Sequence, residues 1–222
     1  MNAVSIALSD LERDALTELA NIGVSRAAAN LRKMAGEQVL LSVPSVEVVS
    51  RTAAATLIGE RESDPLVAVR QDFSGAFSGR ALLIFPQANS LDLLRAVLGA
   101  DIEASELAIL EDEALAETGN IILNGCLATI ANMLQQSLSM SLPEVVRGDG
   151  AALFEVVLPP GIDGLVLFLY INFSVRDRDI RGYIAMLMDL PSLVALRGLI
   201  GSLILRTSDD ASDDRNSNHA VH

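Results

Sequence analysis

Apolar residues recur at a helical spacing in two long stretches of this chain. The first runs from Leu11 to Ala35 and the second from Leu107 to Leu138. This spacing predicts two long helices, each with one apolar face. Ser9 followed by Glu12 is a capping-box pattern at the start of the first helix, and Gly36 is a typical residue just after a helix end.

Shorter apolar runs with the composition of strands follow each predicted helix, and a shorter helix then closes each half of the chain. The last run is long enough for two strands around a turn at Arg176–Arg181. The predicted strands are Val39–Val49, Leu66–Ser74, Arg80–Phe85, Met140–Val146, Ala152–Leu158 and Val166–Met188, and the closing helices are Ser90–Leu98 and Ser192–Leu205.

The two halves are also related in sequence. A carboxylate, a carboxamide and a proline recur at an offset of 99 residues, as Glu18 and Glu117, Asn21 and Asn120, and Pro44 and Pro143. Farther on, Gly79–Gly99 parallels Arg181–Gly201, the later part at an offset of 102. Because short connections join consecutive strands in antiparallel pairs, we predict an α+β fold. It is a duplicated unit with pseudo-two-fold symmetry, one mostly antiparallel sheet and two long helices.

Halves of this size could form two domains or one. We predict a single domain over residues 1–206, made of repeats at about 8–99 and 107–206. Neither half alone buries enough apolar surface, and no segment rich in Pro, Gly or Ser separates them. Residues 207–222 lack an apolar period and predict a mobile polar tail. His219 and His222 lie in it, where a solvated chain end is a simpler interpretation than a metal clip.

The repeated Glu and Asn fall on the polar side of the predicted helices. On a helical wheel Asp14, Glu18 and Asn21 share one narrow stripe. The second helix repeats the stripe with Glu113, Glu117, Asn120 and the additional amide of Asn124. The apolar residues across from the two stripes are Leu16, Ala20, Val24, Ala27, Leu31 and Met34, and Leu115, Ile122, Cys126, Ile130 and Met133. Cys126 is therefore predicted to be a core residue and not a nucleophile.

An ordinary solvated helix face would also explain exposed Glu and Asn. Against it, Asp14 and Glu18 repel each other at i,i+4, and an Asn in mid-helix is a poor helix former. A carboxamide can hold a water molecule by donor and acceptor together, and a carboxylate can pair with a Lys or Arg of a partner. Both interpretations stay open on chemistry alone.

Composition narrows the possible functions. The net charge is −13, which makes nucleic acid and anionic membrane surfaces poor partners, and aromatic residues are only 4% of the chain, so base stacking is not expected. One cysteine excludes an internal disulfide framework and a Cys-based metal cluster. With no secretory pattern in Met1–Asp10 and no uninterrupted apolar span in Ile184–Leu205, we expect a cytoplasmic protein without membrane insertion.

The repeated motif resembles a known signature. Asp/Ser-x3-Glu-x2-Asn, followed about 22 residues later by Pro, is typical of the CheC/CheX/FliY phosphatases of bacterial chemotaxis, and the two-copy arrangement is most similar to CheC. The first copy fits throughout. The second departs at its first position, where Glu113 replaces Asp or Ser. The resemblance covers about residues 5–206.

The resemblance implies a hydrolase of two-component signalling, a protein phosphatase that removes the aspartyl phosphate from a CheY-type receiver domain. Each Asn would orient the attacking water and each Glu would contact the receiver's lysine. The family fold implies a six-stranded sheet. No cofactor of its own is expected, because the receiver would supply Mg²⁺. The residues that would carry these roles are the catalytic Glu18, Asn21, Glu117 and Asn120, the peripheral Asp14 and Glu113, and the structural Pro44 and Pro143.

Other functions remain open beside this hypothesis. One is a non-catalytic binding module on the same fold, as in the FliM middle domain of the flagellar switch, which lacks the paired Glu/Asn motif. Another is an adaptor that also binds the deamidase CheD. A nucleotide or small-molecule enzyme is disfavoured, because no Gly-rich phosphate loop is found in the sequence.

Overall fold

A computed structural model of the chain describes residues 8–35, 39–90, 93–95, 104–155, 165–175 and 178–217. The elements of the first half whose bounds are described are two helices, three strands and a 3₁₀ turn at Gln87–Asn89, and the described residues 90 and 93–95 are helical too. The elements in chain order are α1 (Asp10–Ala35), β1 (Val39–Ser50), α2 (Arg51–Arg61), β2 (Leu66–Gly75), β3 (Gly79–Pro86), α3 (Ala104–Met133), β4 (Leu138–Met140), β5 (Glu144–Gly148), α4 (Gly150–Glu155), β6 (Leu165–Val175), β7 (Arg178–Met188) and α5 (Leu190–Ser217).

The described strands form one antiparallel sheet in the order β1-β6-β7-β3-β2, with β4 and β5 both along the outer side of β2. The two halves interleave in it, since the neighbours β6 and β7 come from the second half and the neighbours β3 and β2 from the first. The edge strand β1 of the first half pairs with β6 of the second, and β5 of the second half pairs with β2 of the first. Counted inward from either edge, the sheet has the first strand of one half followed by the next two strands of the other half. This arrangement gives the predicted α+β fold its pseudo-two-fold symmetry.

The sheet has seven strands among the described residues, whereas we expected six. The predicted strand Met140–Val146 is the reason. Met140 lies opposite Phe73 and Glu144 lies opposite Arg70, so the edge gains one residue relative to β2 and divides into β4 and β5. Pro143 lies in this bulge, where it has no N–H to give to a ladder.

The opposite edge has a bulge at the corresponding place. Ser42 lies opposite Asn172 and Ser45 lies opposite Tyr170, so β1 also gains one residue, around Pro44. Both repeated prolines thus lie in edge bulges, and the pseudo-two-fold symmetry includes these irregularities.

Apolar side chains cover both faces of the sheet. The larger core lies between one face and helices α1, α3 and α5, and the smaller one lies between the other face and helices α2 and α4. The apolar stripe predicted for α1 is confirmed at Leu16, Ala20, Val24, Ala27 and Leu31, all fully buried. On α3, Leu115, Ile122, Cys126 and Ile130 are buried as predicted, but Met133 is 40% exposed, and the side chain of Met34 lies outside the described ones.

The two long helices approach each other closely at glycines. A Cβ atom on Gly23 would lie 2.7 Å from Cys126 Cα, and one on Gly125 would lie 2.9 Å from Ala27 Cβ. Contact at backbone distance lets α1 and α3 pack side by side over the sheet. The start of α1 has the predicted capping box, since Ser9 N donates to Glu12 Oε2 (2.7 Å) and Glu12 N donates to Ser9 Oγ (3.3 Å).

Four other elements differ from the sequence-based prediction. The segment predicted as strand Ala152–Leu158 forms helix α4 through Glu155, because Asp149 Oδ1 accepts a cap bond from Ala152 N (2.8 Å); residues 156–164 lie outside the described ranges. Helix α2 was not predicted, although Ser50 caps it and its sequence is rich in Ala. Helix α3 ends at Met133 and not Leu138, because Gln135 takes a positive φ of 57° and Gln136 N donates to Ala131 O.

Helix α5 is the fourth difference. The closing helix was predicted to end at Leu205, but α5 continues through Ser217. Extending an existing helix is easier than starting one, and Thr207 Oγ1 and Ser208 Oγ both donate to Ile204 O. Gly36, most of the closing helix Ser90–Leu98, the start of the turn at Arg176–Arg181, His219 and His222 lie outside the described residues.

Among the described residues, two helical segments are long and apolar enough to cross a membrane by length and composition alone, namely Leu110–Met133 and Leu190–Ser208. The first is 56% buried, as expected for a core helix, and the second is 22% buried. The apolar run Ile184–Leu205 is divided in the structure, since β7 ends at Met188 and α5 begins at Leu190. Asp189 precedes α5 and caps it through Ser192 N (2.9 Å), and Pro191 is in its first turn, where a proline is tolerated.

Candidate functional site

Helices α1 and α3 each carry a carboxylate toward solvent. Glu18 and Glu117 are exposed, and neither forms a hydrogen bond or an ion pair with any residue in the described ranges. Asp14 and Glu113, one turn earlier in each helix, are exposed and unpaired within the same ranges. These side chains are free to meet a cation on another molecule.

The Asn21 side chain, in contrast, is half-buried and attached to β1. Its Nδ2 donates to Val43 O (2.9 Å) and to Thr17 O (3.0 Å), and its Oδ1 accepts from Val43 N (2.8 Å). Val43 lies in the bulge of β1 and has no Cα partner on β6. Asn21 therefore takes the place of a neighbouring strand at this residue, which connects the helix to the bulge before Pro44.

This attachment changes how the stripe of α1 is interpreted. The helical wheel placed Asn21 with Glu18 on the solvent side, but the structure places it at the border between helix and sheet. Both Nδ2 protons are used, and one lone pair of Oδ1 is left. The orientation of the amide is unambiguous, because the N–H and C=O of Val43 fix which atom is nitrogen.

The Asn120 side chain is also half-buried, but it is held by side chains. Its Oδ1 accepts from Gln71 Nε2 (3.0 Å) and from Asn124 Nδ2 (2.6 Å). Gln71 Nε2 also donates to Ser141 O (2.9 Å), beside the bulge of the other edge. Asn120 Nδ2 forms no hydrogen bond with a described residue, and it is not among the buried polar atoms that lack a partner. This donor is therefore accessible from outside.

The two edges differ around their prolines. Pro44 is exposed and Pro143 is half-buried, and the residue before Pro143, Leu142, is 86% exposed. The structure thus brings Glu18, Asn21 and Pro44 together at one edge of the sheet. It brings Glu117, Asn120 and Pro143 together at the other edge. We call these groups centre 1 and centre 2.

The sequence did not indicate Val43 or Gln71 as part of the centres. Val43 contributes only backbone atoms, which a residue pattern cannot reveal, although its place just before the motif proline was a usable signal. Gln71 lies inside a predicted strand, where it alternates with Val67, Val69 and Phe73, and one polar residue on an otherwise apolar strand face is the signal for it. Asn124 was placed on the outer stripe, but its Oδ1 is buried and lacks a partner among the described residues.

Cys126 takes no part in either centre. It is fully buried where α1 and α3 meet, and burial raises the pKa of its thiol to about 12. The prediction of a core residue is confirmed. Within the described residues, no group of three or more His, Cys, Asp or Glu side chains is arranged to hold a metal ion.

Comparison with known proteins places this geometry in context. The model of the CheC-like family matches residues 11–48, which include all of centre 1. The flagellar motor switch phosphatase FliY of Bacillus subtilis is 24% identical over 212 residues, which are 93% of this chain and 52% of that relative, so the chain spans about half its length. The CheY-P phosphatase CheC of Bacillus subtilis is 23% identical over 202 residues, 88% of this chain and 96% of the relative.

Solved structures share the fold. Thermotoga maritima FliY has a TM-score of 0.69 at 16% identity, over 88% of this chain and 98% of that one. The FliM middle domain of H. pylori has a TM-score of 0.55 at 11% identity, over 86% of this chain and 99% of that one. The resemblance to the CheC-like family that the repeated Glu, Asn and Pro indicated is confirmed, and the chain has the α+β fold of these chemotaxis proteins.

Proposed function

We propose that this chain is a phosphatase of the aspartyl phosphate on a CheY-type response regulator. The observation that carries the proposal is the pairing, at both edges of the sheet, of an exposed, unpaired Glu with an Asn that the strands hold one turn away. Relatives named as CheY-P phosphatases support the same activity. Neither centre as defined contains a Ser, Thr, Cys or His side chain, which agrees with a reaction whose electrophile arrives on a partner and is attacked by water.

In the proposed reaction a water oxygen attacks the phosphorus atom of the phosphoaspartate. The bond between phosphorus and the aspartate oxygen breaks, the aspartate leaves as a carboxylate, and inorganic phosphate carries away the water oxygen. Mg²⁺ held by the receiver offsets the charge of the phosphoryl oxygens. Glu18 or Glu117 contacts the receiver's lysine and fixes the docked geometry, and Asn21 or Asn120 orients the water.

The two carboxamides have different hydrogen-bonding capacity left for this role. At centre 1 the remaining group is a lone pair of Asn21 Oδ1, which can accept a proton of the water. At centre 2 it is Asn120 Nδ2, which can donate to the water or to a phosphoryl oxygen. We infer that the two centres contribute unequally, so single substitutions at Asn21 and Asn120 will have unequal effects.

Docking in this proposal depends on local contacts. The net charge of −13 gives no long-range attraction to a receiver domain, and such domains are commonly acidic too. Because the centres lie at opposite edges of the sheet, each can receive a receiver domain independently. We expect modest affinity, a cytoplasmic site of action, and no metal requirement beyond the Mg²⁺ of the receiver.

The test measures loss of the phosphoryl group from a panel of phosphorylated receiver domains with Mg²⁺. We expect Asn21→Ala and Asn120→Ala each to lower the rate, and the double variant to reduce it to that of the receiver alone. Asn30 and Asn132 are exposed on the same two helices, and Asn30→Ala with Asn132→Ala is the matched control. The double variant at the centres must be checked for folding by circular dichroism.

The main alternative is a non-catalytic binding module or adaptor. The fold shared with the FliM middle domain favours it, as does the attachment of Asn21 to β1, which a purely structural role would also explain. Receiver domains that co-purify with the wild-type protein but lose phosphate no faster in its presence would favour the binding module. A rate that the folded double variant keeps would refute the proposed mechanism.

A further inference from the structure

Gln71 is a polar side chain in the interior of the sheet. It is 1% exposed, on the central part of β2, and Val69 and Phe73 on either side of it belong to the larger apolar core. Burying an amide in apolar surroundings costs free energy unless its groups find partners. Its Nε2 has two partners, while its Oε1 has none among the described residues. A side chain so buried and only partly paired calls for an explanation other than packing.

The two hydrogen bonds of Gln71 Nε2 determine the orientation of a second amide. Ser141 O is a backbone carbonyl and can only accept, so the atom facing it must be the nitrogen of Gln71. Its other proton is directed to Asn120, which must therefore present its oxygen. Asn124 Nδ2 donates to the same oxygen. The hydrogen bonds that Gln71 donates to Ser141 O and to Asn120 Oδ1, together with the one from Asn124, thus turn Asn120 Nδ2 outward.

Centre 1 has no such residue. The register of β6 against β1 places Ile171 opposite the bulge of β1, between Asn172 and Tyr170, as Gln71 is opposite the bulge of the other edge. An isoleucine cannot donate, and Asn21 is held by the backbone of Val43. The position of Gln71, where the two halves differ, is therefore one of the two that hold Asn120.

We propose that Gln71 is a positioning residue for centre 2, which holds the Asn120 carboxamide with its Nδ2 toward a docked receiver domain. This inference rests on the proposed function. Without Gln71, Asn120 Oδ1 keeps only Asn124 Nδ2 as a donor among the described residues, so the side chain is held less firmly and fewer docked complexes hold the water in line with the phosphorus atom. The turnover number at centre 2 should fall, whereas the binding of the receiver, which depends on the exposed Glu117, should be affected much less.

The experiment separates the centres with charge reversals at the exposed glutamates. Glu18→Arg leaves centre 2 as the active one, and Glu117→Arg leaves centre 1. Gln71→Met, of similar length but without a donor, is introduced into both proteins, and kcat and KM for one phosphorylated receiver are measured. We expect kcat to fall about tenfold in the Glu18→Arg protein with KM changed less than twofold, and the fall in the Glu117→Arg protein to be several-fold smaller.

Equal losses in the two proteins would assign Gln71 to packing alone and overturn the inference, as would an unchanged kcat in the Glu18→Arg protein. In the Glu18→Arg protein, Asn120→Ala and Gln71→Met together should lower kcat little more than Asn120→Ala alone, since both substitutions act on the same positioned amide. Fully additive losses in kcat would contradict the inference. Gln71→Leu replaces Gln71→Met should that variant not fold. If the wild type accelerates no receiver's decay, the proposed function itself fails, a result distinct from loss of the Gln71 effect in an active enzyme.

Discussion

The attachment of Asn21 to the bulge of β1 leads to a prediction about stability. Asn21→Ala removes the donor to Val43 O and the acceptor of Val43 N, and it leaves both backbone groups without this partner on a buried residue. The third hydrogen bond, to Thr17 O, matters less because that carbonyl already accepts within the helix. A net hydrogen bond contributes about 1 kcal/mol, and unsatisfied groups raise the cost, so we expect the free energy of unfolding to fall by about 2–3 kcal/mol.

Urea denaturation followed by circular dichroism measures this change. With a denaturant dependence of about 2–3 kcal/mol per M, the midpoint should move down by about 1 M. Asn30→Ala is the matched control, because Asn30 lies exposed on the same helix and its replacement changes helix propensity alone. We expect it to change stability by less than about 0.6 kcal/mol, in the stabilising direction.

Equal midpoints for Asn21→Ala and Asn30→Ala would refute the attachment. They would mean that Val43 finds water or another partner at no cost when the amide is absent. The result also bears on the phosphatase assay. Asn21→Ala lowers stability and, on our proposal, activity, so its activity must be measured at temperatures where the variant is fully folded, whereas Asn120→Ala leaves the backbone of β1 untouched.

Three further predictions concern the rest of the fold. Gly23→Ala should lower the free energy of unfolding by about 1–3 kcal/mol, since the new Cβ would lie 2.7 Å from a backbone atom of Cys126. Gly198→Ala is the control, because a Cβ there meets open space, and it should raise the free energy of unfolding by about 0.5–1 kcal/mol. Urea denaturation measures both changes. The Cys126 thiol, whose pKa burial raises to about 12, should react with a thiol reagent at pH 8 only after unfolding, and fast reaction in the native state would contradict its burial. Burial raises the pKa of Glu12, but hydrogen bonds from Arg197 and Ser9 outweigh it and lower that pKa below its usual 4.5. The stabilisation that Glu12→Gln removes should therefore be present above pH 4.5 and disappear as the pH falls through the folded-state pKa of Glu12. A stability difference between Glu12→Gln and wild type that persists at pH 2 would contradict this prediction.

Long, regularly spaced patterns were the part of this fold that the sequence could predict. The apolar stripe of α1, its capping box and the doubled arrangement follow from side-chain spacing, which repeats every turn and tolerates errors at single positions. Short elements were mispredicted because a single cap decides them. Asp149 turns Gly150–Glu155 into a helix where the apolar content of the segment favours a strand.

The candidate site was predictable in its exposed half. Glu18 and Glu117 face solvent, as the helical wheel required. The environments of Asn21 and Asn120 were not predictable, because they depend on which atoms of a distant edge strand come within 3 Å of each amide. The wheel has no information about the bulges, and without them both amides look like surface residues.

The interleaving of the two halves within the sheet has a consequence for synthesis on the ribosome. In the described part of the chain β1 pairs with β6 alone, so Val39–Ser50 has no neighbouring strand until Leu165–Val175 has emerged. More than a hundred residues of nascent chain must therefore wait with an unpaired edge. Chaperones that shield β1 during this interval should increase the yield of native protein, and a chain shortened before Leu165 should aggregate instead of leaving a stable half.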